Sequence, residues 1–149
     1  DDQPAIPARV VRLGHDMLQF AEEPKPVVIL DEEGKPITVG DNARRFFEAS
    51  WMHKYNGKYY FSYSTGDTHF LCYAVGDNPY GPFTYKGQIL TPVYGWTTHH
   101  SIVEYGGKWW LFHHDSVPSK GINRLRSLKV CELTYDADGN IETIEGLDD

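Results

Sequence analysis

The sequence predicts an all-β chain folded as a partial β-propeller of about two and a half four-stranded antiparallel blades. The first sign is Asn56-Gly57, which sits between two runs of alternating character, residues 50–55 and 58–64. This dipeptide suits a type I′ turn, which needs positive φ at both central residues. The second sign is that the pattern restarts at a fixed offset. Tyr55-Asn56-Gly57-Lys58-Tyr59-Tyr60-Phe61 matches Tyr105-Gly106-Gly107-Lys108-Trp109-Trp110-Leu111 position by position, 50 residues later. The third is that each unit continues into two further strand-like runs. Repeats of roughly 40–50 residues, each a four-stranded meander, mark propeller blades.

Taken in order, residues 4–7 are extended, and residues 9–13 and 26–30 read as short strands, the second closed by the turn-rich residues 31–36. Helical periodicity here is faint. Residues 15–23 could form one or two helical turns before Pro24 and Pro26 stop them, and residues 41–45 one brief turn. The strands of the first repeat unit are expected at 50–55, 58–64, 70–75 and 83–90, with Gly66-Asp67-Thr68-His69 and residues 77–82 as loops. In the second unit the hairpin around Gly106-Gly107 is followed by strands at 126–134 and 140–144, separated by the Asp136-Ala137-Asp138-Gly139 turn. Residues 41–91 and 92–149 are thus two blades, and residues 1–40 the outer strands of an incomplete one.

Composition narrows the function. The 149 residues carry a formal charge of -7 with no Lys/Arg cluster, which argues against nucleic acid. No apolar run approaches the ~20 residues of a spanning helix. The acidic start, Asp1-Asp2-Gln3-Pro4, is no signal peptide and looks like the interior of a longer protein. Cys72 and Cys131 form no C-x-x-C pattern and read as buried free thiols. Because a propeller closes with typically about 4–8 blades, this chain is expected to be the C-terminal part of a larger ring. Its open blade faces call for the missing N-terminal blades, in cis or in trans, or for self-association.

The sharpest single residue is Glu48. A carboxyl between Phe47 and Trp51 can sit partly desolvated, which favours its protonated form and makes a general acid. Under the 50-residue offset Glu48 falls opposite Thr98 and Ala49 opposite His99, so Glu48 and Thr98-His99-His100 converge on one end of the tunnel. For His113-His114-Asp115 a structural role is favoured, because neighbours on a strand point to opposite faces.

Three motifs between Phe46 and Ile141 resemble the five-bladed propeller enzymes of glycoside hydrolase family 43, the β-xylosidases, α-L-arabinofuranosidases and arabinanases. The first is Phe47-Glu48-Ala49-Ser50 running into Tyr59-Tyr60-Phe61-Ser62-Tyr63-Ser64, which implies Glu48 as general acid. The second is Thr98-His99-His100-Ser101, which implies His99 at the axis, touching a structural calcium directly or through water. The third is Arg126-Ser127-Leu128-Lys129-Val130, whose Arg would hold the sugar; Arg124 lies close enough to leave that register open. With the resemblance in place, Trp96 in the Tyr94-Gly95-Trp96 loop becomes a sugar-stacking candidate, and Phe47 and His69 candidate substrate contacts. Trp109 and Trp110 read as blade packing.

The implied function is part of an inverting glycosidase acting on xylose- or arabinose-containing oligosaccharides or polysaccharides, with no organic cofactor. The alternative is a non-catalytic carbohydrate-binding or self-assembling propeller fragment. The resemblance also implies an Asp general base and a second Asp tuning the acid, both from N-terminal blades. Asp1, Asp2 and Asp16 are assigned neither role.

Overall fold

The computed structural model describes residues 2–66, 69–96 and 98–146. Ten strands account for its regular structure: β1 Arg9–Val10, β2 Lys25–Pro26, β3 Ile29–Leu30, β4 Phe46–Tyr55, β5 Lys58–Thr65, β6 Leu71–Gly76, β7 Phe83–Leu90, β8 Ser101–Tyr105, β9 Lys108–Asp115 and β10 Ser127–Leu133. No helix occurs among the described residues, and the fold is a partial propeller.

The central sheet is the antiparallel meander β4-β5-β6-β7, extended by β3, which runs parallel along the outer edge of β7. A second meander, β8-β9-β10, packs beside it, and β1 and β2 form a separate ribbon. Both hairpin turns have the backbone their residues suit: Asn56 and Gly57 take φ of 45° and 80°, and Gly106 and Gly107 take 64° and 75°.

Two-residue alternation along β5 and β6 divides the central sheet between two cores. Tyr60, Leu71, Tyr73, Ile89 and Leu90 meet Ile102, Leu111, Leu133 and Ile141 from the second unit. On the other face Phe61, Tyr63, Cys72, Ala74 and Phe83 meet Val27, Ile29 and Ile37. The middle meander is therefore covered on both faces, which explains why β5 reads as six consecutive buried residues. Polar ties reinforce the joint between the repeats. The Tyr60 hydroxyl donates to the Gly139 carbonyl at 2.6 Å, the Ile141 amide donates to the Tyr73 hydroxyl at 2.9 Å, and the Trp51 indole donates to the Ile102 carbonyl at 2.9 Å.

Several local expectations change. Residues 15–23 form no helix: the Ala21 amide bonds the Arg12 carbonyl at 2.9 Å and Leu13 bridges Phe20, closing a hairpin-like loop. Met17, Leu18 and Phe20 are exposed, so no buried face exists to support a helix. The strand expected at 9–13 shrinks to Arg9–Val10, and that at 26–30 splits into β2 and β3. Residues 140–144 make only isolated bridges, Tyr135 to Ile141 and Leu90 to Ile144, instead of a fourth strand. Most consequentially, β4 begins at Phe46 rather than residue 50, so Glu48 lies inside the strand.

Candidate active site

Glu48 owes its position to two irregularities in β4. Pairing runs Phe46 to Thr65, then Glu48 to Ser64, then Trp51 to Ser62, so β4 twice holds extra residues against β5. Such bulges bend a strand and re-aim its side chains, and they concentrate near active sites. At the second bulge Ala49 takes φ of 56°, in the left-handed region. The 50-residue partner of Ala49, His99, takes φ of 34°, so both repeat units carry a left-handed residue at the equivalent point, inside β4 in the first and just ahead of β8 in the second. His69, at the neighbouring loop, has φ of 52°. Each such residue costs roughly 1–2 kcal/mol, and strained backbone of this kind persists where surrounding structure holds it in place.

These residues come together. The His99 Nε2 lies 3.7 Å from the Glu48 carboxylate, with the two side chains 52% and 34% exposed, so the carboxylate is half-buried yet open to solvent. Phe47 packs edge-on against His69 at 5.9 Å between ring centroids, and His69 lies 4.0 Å from Trp96. Three residues singled out separately in the sequence thus form one aromatic row beside Glu48. Phe47 and Trp96 remain 49% and 59% exposed, which leaves apolar ring surface facing solvent. Both ring nitrogens of His69 are buried without a hydrogen-bond partner among the described residues. Asp67, which precedes His69 in the same loop and by that place could also contact substrate, lies outside the described residues.

Arg126 lies within electrostatic reach of His114. Its Nε donates to the Asn123 carbonyl at 2.9 Å, and its charge acts on His114, whose ring stacks on His99 at 6.0 Å. Burial, then the Arg126 charge, then the charge of His99 push the His114 imidazole towards its neutral form. The sequence reading missed His114 because it followed the strand alternation of His113-His114-Asp115. That alternation is real: His113 and Asp115 are buried on one face, and His114 stands on the other. His113 faces Cys131, Nε2 to Sγ 3.7 Å.

His100, the neighbour of His99, turns inward and pairs its Nε2 with the Ser62 hydroxyl at 2.6 Å. His53 similarly meets the Tyr135 hydroxyl at 2.7 Å and stacks on Tyr60. Burial pushes the His53 imidazole down to about 4. Burial, reinforced by the charges of His53, His99 and His113, pushes His100 down to about 3. Both rings are neutral when folded but bind protons near pH 6.5 when unfolded. Their effect is therefore nil above pH 6.5, and each lowers stability by about 1.4 kcal/mol per pH unit as pH falls from that value towards its folded pKa, about 4 for His53 and about 3 for His100, below which the loss levels off. Denaturant titrations should show a lower unfolding free energy at pH 5 than at pH 7; equal values would contradict the neutral-core assignment.

The calcium implied by the family resemblance can be tested on the donor set. A calcium ion takes six to eight oxygen ligands. His99 offers one nitrogen with a single carboxylate 3.7 Å away, and among the described residues no group of three or more His, Cys, Asp or Glu side chains could hold a metal ion. This donor set does not fit a calcium held by the chain alone, and no step below passes through one.

The class these features define is a β-propeller segment with a carboxylate and an open aromatic row on its blade edge. The model of glycosyl hydrolases family 43 matches residues 9–141. A xylosidase/arabinosidase of Bacteroides ovatus is 76% identical over 148 residues, covering 99% of this chain and 46% of that protein. A β-xylosidase of Xylanibacter ruminicola is 71% identical over 140 residues, covering 94% and 44%. Among solved structures, the RS223 β-xylosidase superposes with a TM-score of 0.96 at 70% identity, covering 99% of this chain and 46% of that one. A GH43 β-xylosidase/α-arabinofuranosidase from a compost metagenome, solved with xylotriose in a calcium-free form, gives 0.97 at 63% identity, covering 100% and 45%. This chain belongs to glycosyl hydrolase family 43. It spans about half the length of the curated relatives it matches.

Proposed function

We propose that this chain supplies the proton-donating part of an inverting glycosidase that releases xylose or arabinose from plant-type oligosaccharides, with Glu48 as the general acid. The observation that carries the reading is the Glu48 carboxylate, set by a double bulge beside His99 and the Phe47–His69–Trp96 row. In the reaction, protonated Glu48 gives its proton to the leaving glycosidic oxygen as the bond to the anomeric carbon breaks. Water forms the new bond from the opposite face and loses its proton to a second carboxylate about 6.5–9.5 Å from the first. That base comes from outside this chain. The aromatic row holds the apolar face of the sugar, Arg126 contacts its hydroxyls, and His99 orients the acid. Residues 1–40 serve as outer strands of an incomplete blade, and 41–91 and 92–149 as blades.

A second feature bears on how the site is completed. On the face of the second meander turned away from the core, Val103, Leu128 and Val130 are exposed, and Trp110 and Phe112 are half-buried. An apolar sheet face of this kind calls for cover, which supports completion by further blades and gives weight to self-association of the isolated chain.

One experiment addresses both points. The 149-residue chain alone should associate in light scattering at high concentration and should not turn over aryl β-xylosides or aryl α-L-arabinofuranosides. Joining or mixing it with the remaining blades should suppress association and produce turnover. A compact monomer that hydrolyses these substrates unaided would contradict the proposal.

A further inference from the structure

Resting on the sugar-binding reading above, the geometry points to Ser116 as a positioning residue: the junction at which the backbone of one buried residue pins both the Trp96 loop and the loop leading to Arg126, while its side chain seats Gly95. Ser116 directly follows β9 and is 2% exposed. Its amide donates to the Tyr94 carbonyl at 2.7 Å, which pins the loop carrying Trp96. Its carbonyl accepts the Gly121 amide at 2.9 Å and lies 3.1 Å from the Ser119 hydroxyl, which pins the loop leading to Arg126. The Ser119 hydroxyl lies 2.8 Å from the Leu125 carbonyl, one residue before Arg126. Two loops that meet nowhere in the sequence are thereby anchored on one residue.

The side chain of Ser116 is part of the fit. A Cβ placed on Gly95 would lie 2.8 Å from the Ser116 hydroxyl and 3.3 Å from its Cβ, and Gly95 has φ of 109°. Gly95 therefore rests directly on Ser116 in a backbone state that side chains avoid. The residue after it, Trp96, is 59% exposed and packed on His69 at 4.0 Å. The seat itself is rigid. The neighbouring Asp115, 1% exposed, accepts the Val117 amide at 3.1 Å and faces the Lys129 ammonium at 3.3 Å. Any added bulk at Ser116 must move the Tyr94-Gly95-Trp96 loop rather than β9. Because Trp96 and Arg126 contact substrate in the proposed reading while Ser116 does not, such a shift should weaken sugar binding and leave the acid on Glu48 undisturbed.

The test compares Ser116→Val, which pushes on Gly95, with Ser116→Ala, which leaves the seat free, in the protein completed by its remaining blades. For aryl β-xyloside hydrolysis, Ser116→Val should raise KM by about tenfold or more with kcat within about threefold of the parent, while Ser116→Ala keeps both close to parent values. Quenching of tryptophan fluorescence by xylobiose should weaken in parallel. A folded Ser116→Val variant with parent KM, a fall confined to kcat, or equal damage from Ser116→Ala would overturn the assignment. If Ser116→Val does not fold, Gly95→Ala makes the same intrusion from the other side. Loss of folding in both variants would show that the junction serves stability only, and would equally overturn it. Glu48→Gln assayed in parallel on xylobiose, whose leaving group needs a proton, reports on the acid separately, so failure of the functional reading and failure of the Ser116 role give different patterns.

Discussion

Replacing Glu48 with Gln should lower turnover of xylosides with poor leaving groups by about 10²- to 10⁴-fold, the usual worth of a positioned general acid. Gln keeps the size of Glu and hydrogen-bonds as a neutral amide, so the bulge at Ala49, the Glu48 to Ser64 pairing and the aromatic row should all persist. What disappears is the proton. Steady-state kinetics should accordingly show most of the loss in kcat and little in KM, because the amide can still lie against the sugar. A matching loss of thermal stability would mean that Glu48 was a structural residue instead. His99, 3.7 Å away, is the side chain most exposed to the change, and its replacement should cost less than that of Glu48 because it carries no proton to the leaving oxygen.

The second large effect is on stability. Leu111→Ala should destabilise the fold by about 2–5 kcal/mol, the range for deleting a fully buried leucine from a packed core. Leu111 is 0% exposed and lies where the two meanders meet, among Tyr73, Leu90, Ile102 and Leu133. A cavity there loosens the joint that holds β8, and with it His99, against β4. Chemical denaturation should register the loss directly, and activity should fall under conditions where the parent is fully folded. Leu18→Ala is the natural contrast. At 83% exposure in the loop closed by the Leu13–Phe20 bridge it should change stability by no more than about 0.5 kcal/mol. A small effect at Leu111 would contradict the view that the two repeat units share one core.

Much of this architecture was legible in the sequence because it follows from local rules that tertiary context reinforces. Asn56-Gly57 and Gly106-Gly107 adopt positive φ at all four positions, as the hairpin reading required. The run at residues 83–90 became β7 with the same limits. The 50-residue offset carried further than strand placement, since it paired Ala49 with His99, both left-handed. Where local rules had no tertiary support they failed. Met17, Leu18 and Phe20 could have lined a short helix, but nothing packs over them. Residues 140–144 had strand-like composition, yet their amides are spent on single bridges and on the Tyr73 hydroxyl.

The site was legible residue by residue but not as an arrangement. Glu48, His99, Phe47, His69 and Trp96 each stood out, whereas the contact of His69 with both Phe47 and Trp96 depends on two loops closing towards one another. His114 was masked by its place in an ordinary strand alternation. Ser116 carried no signal at all, because its importance lies in what Gly95 lacks, a relation between positions 21 apart with no periodicity to betray it.

The measurement that bears most directly on Glu48 is the leaving-group dependence of its Gln variant in the protein completed by its remaining blades. A nitrophenol-type leaving group departs as an anion without help, whereas the sugar alcohol of xylobiose needs a proton. With Glu48 as the acid, Glu48→Gln should hydrolyse the most activated aryl xyloside at close to the parental rate and lose about 10²- to 10⁴-fold on xylobiose. An equal loss on both substrates, or no loss on either, would contradict it.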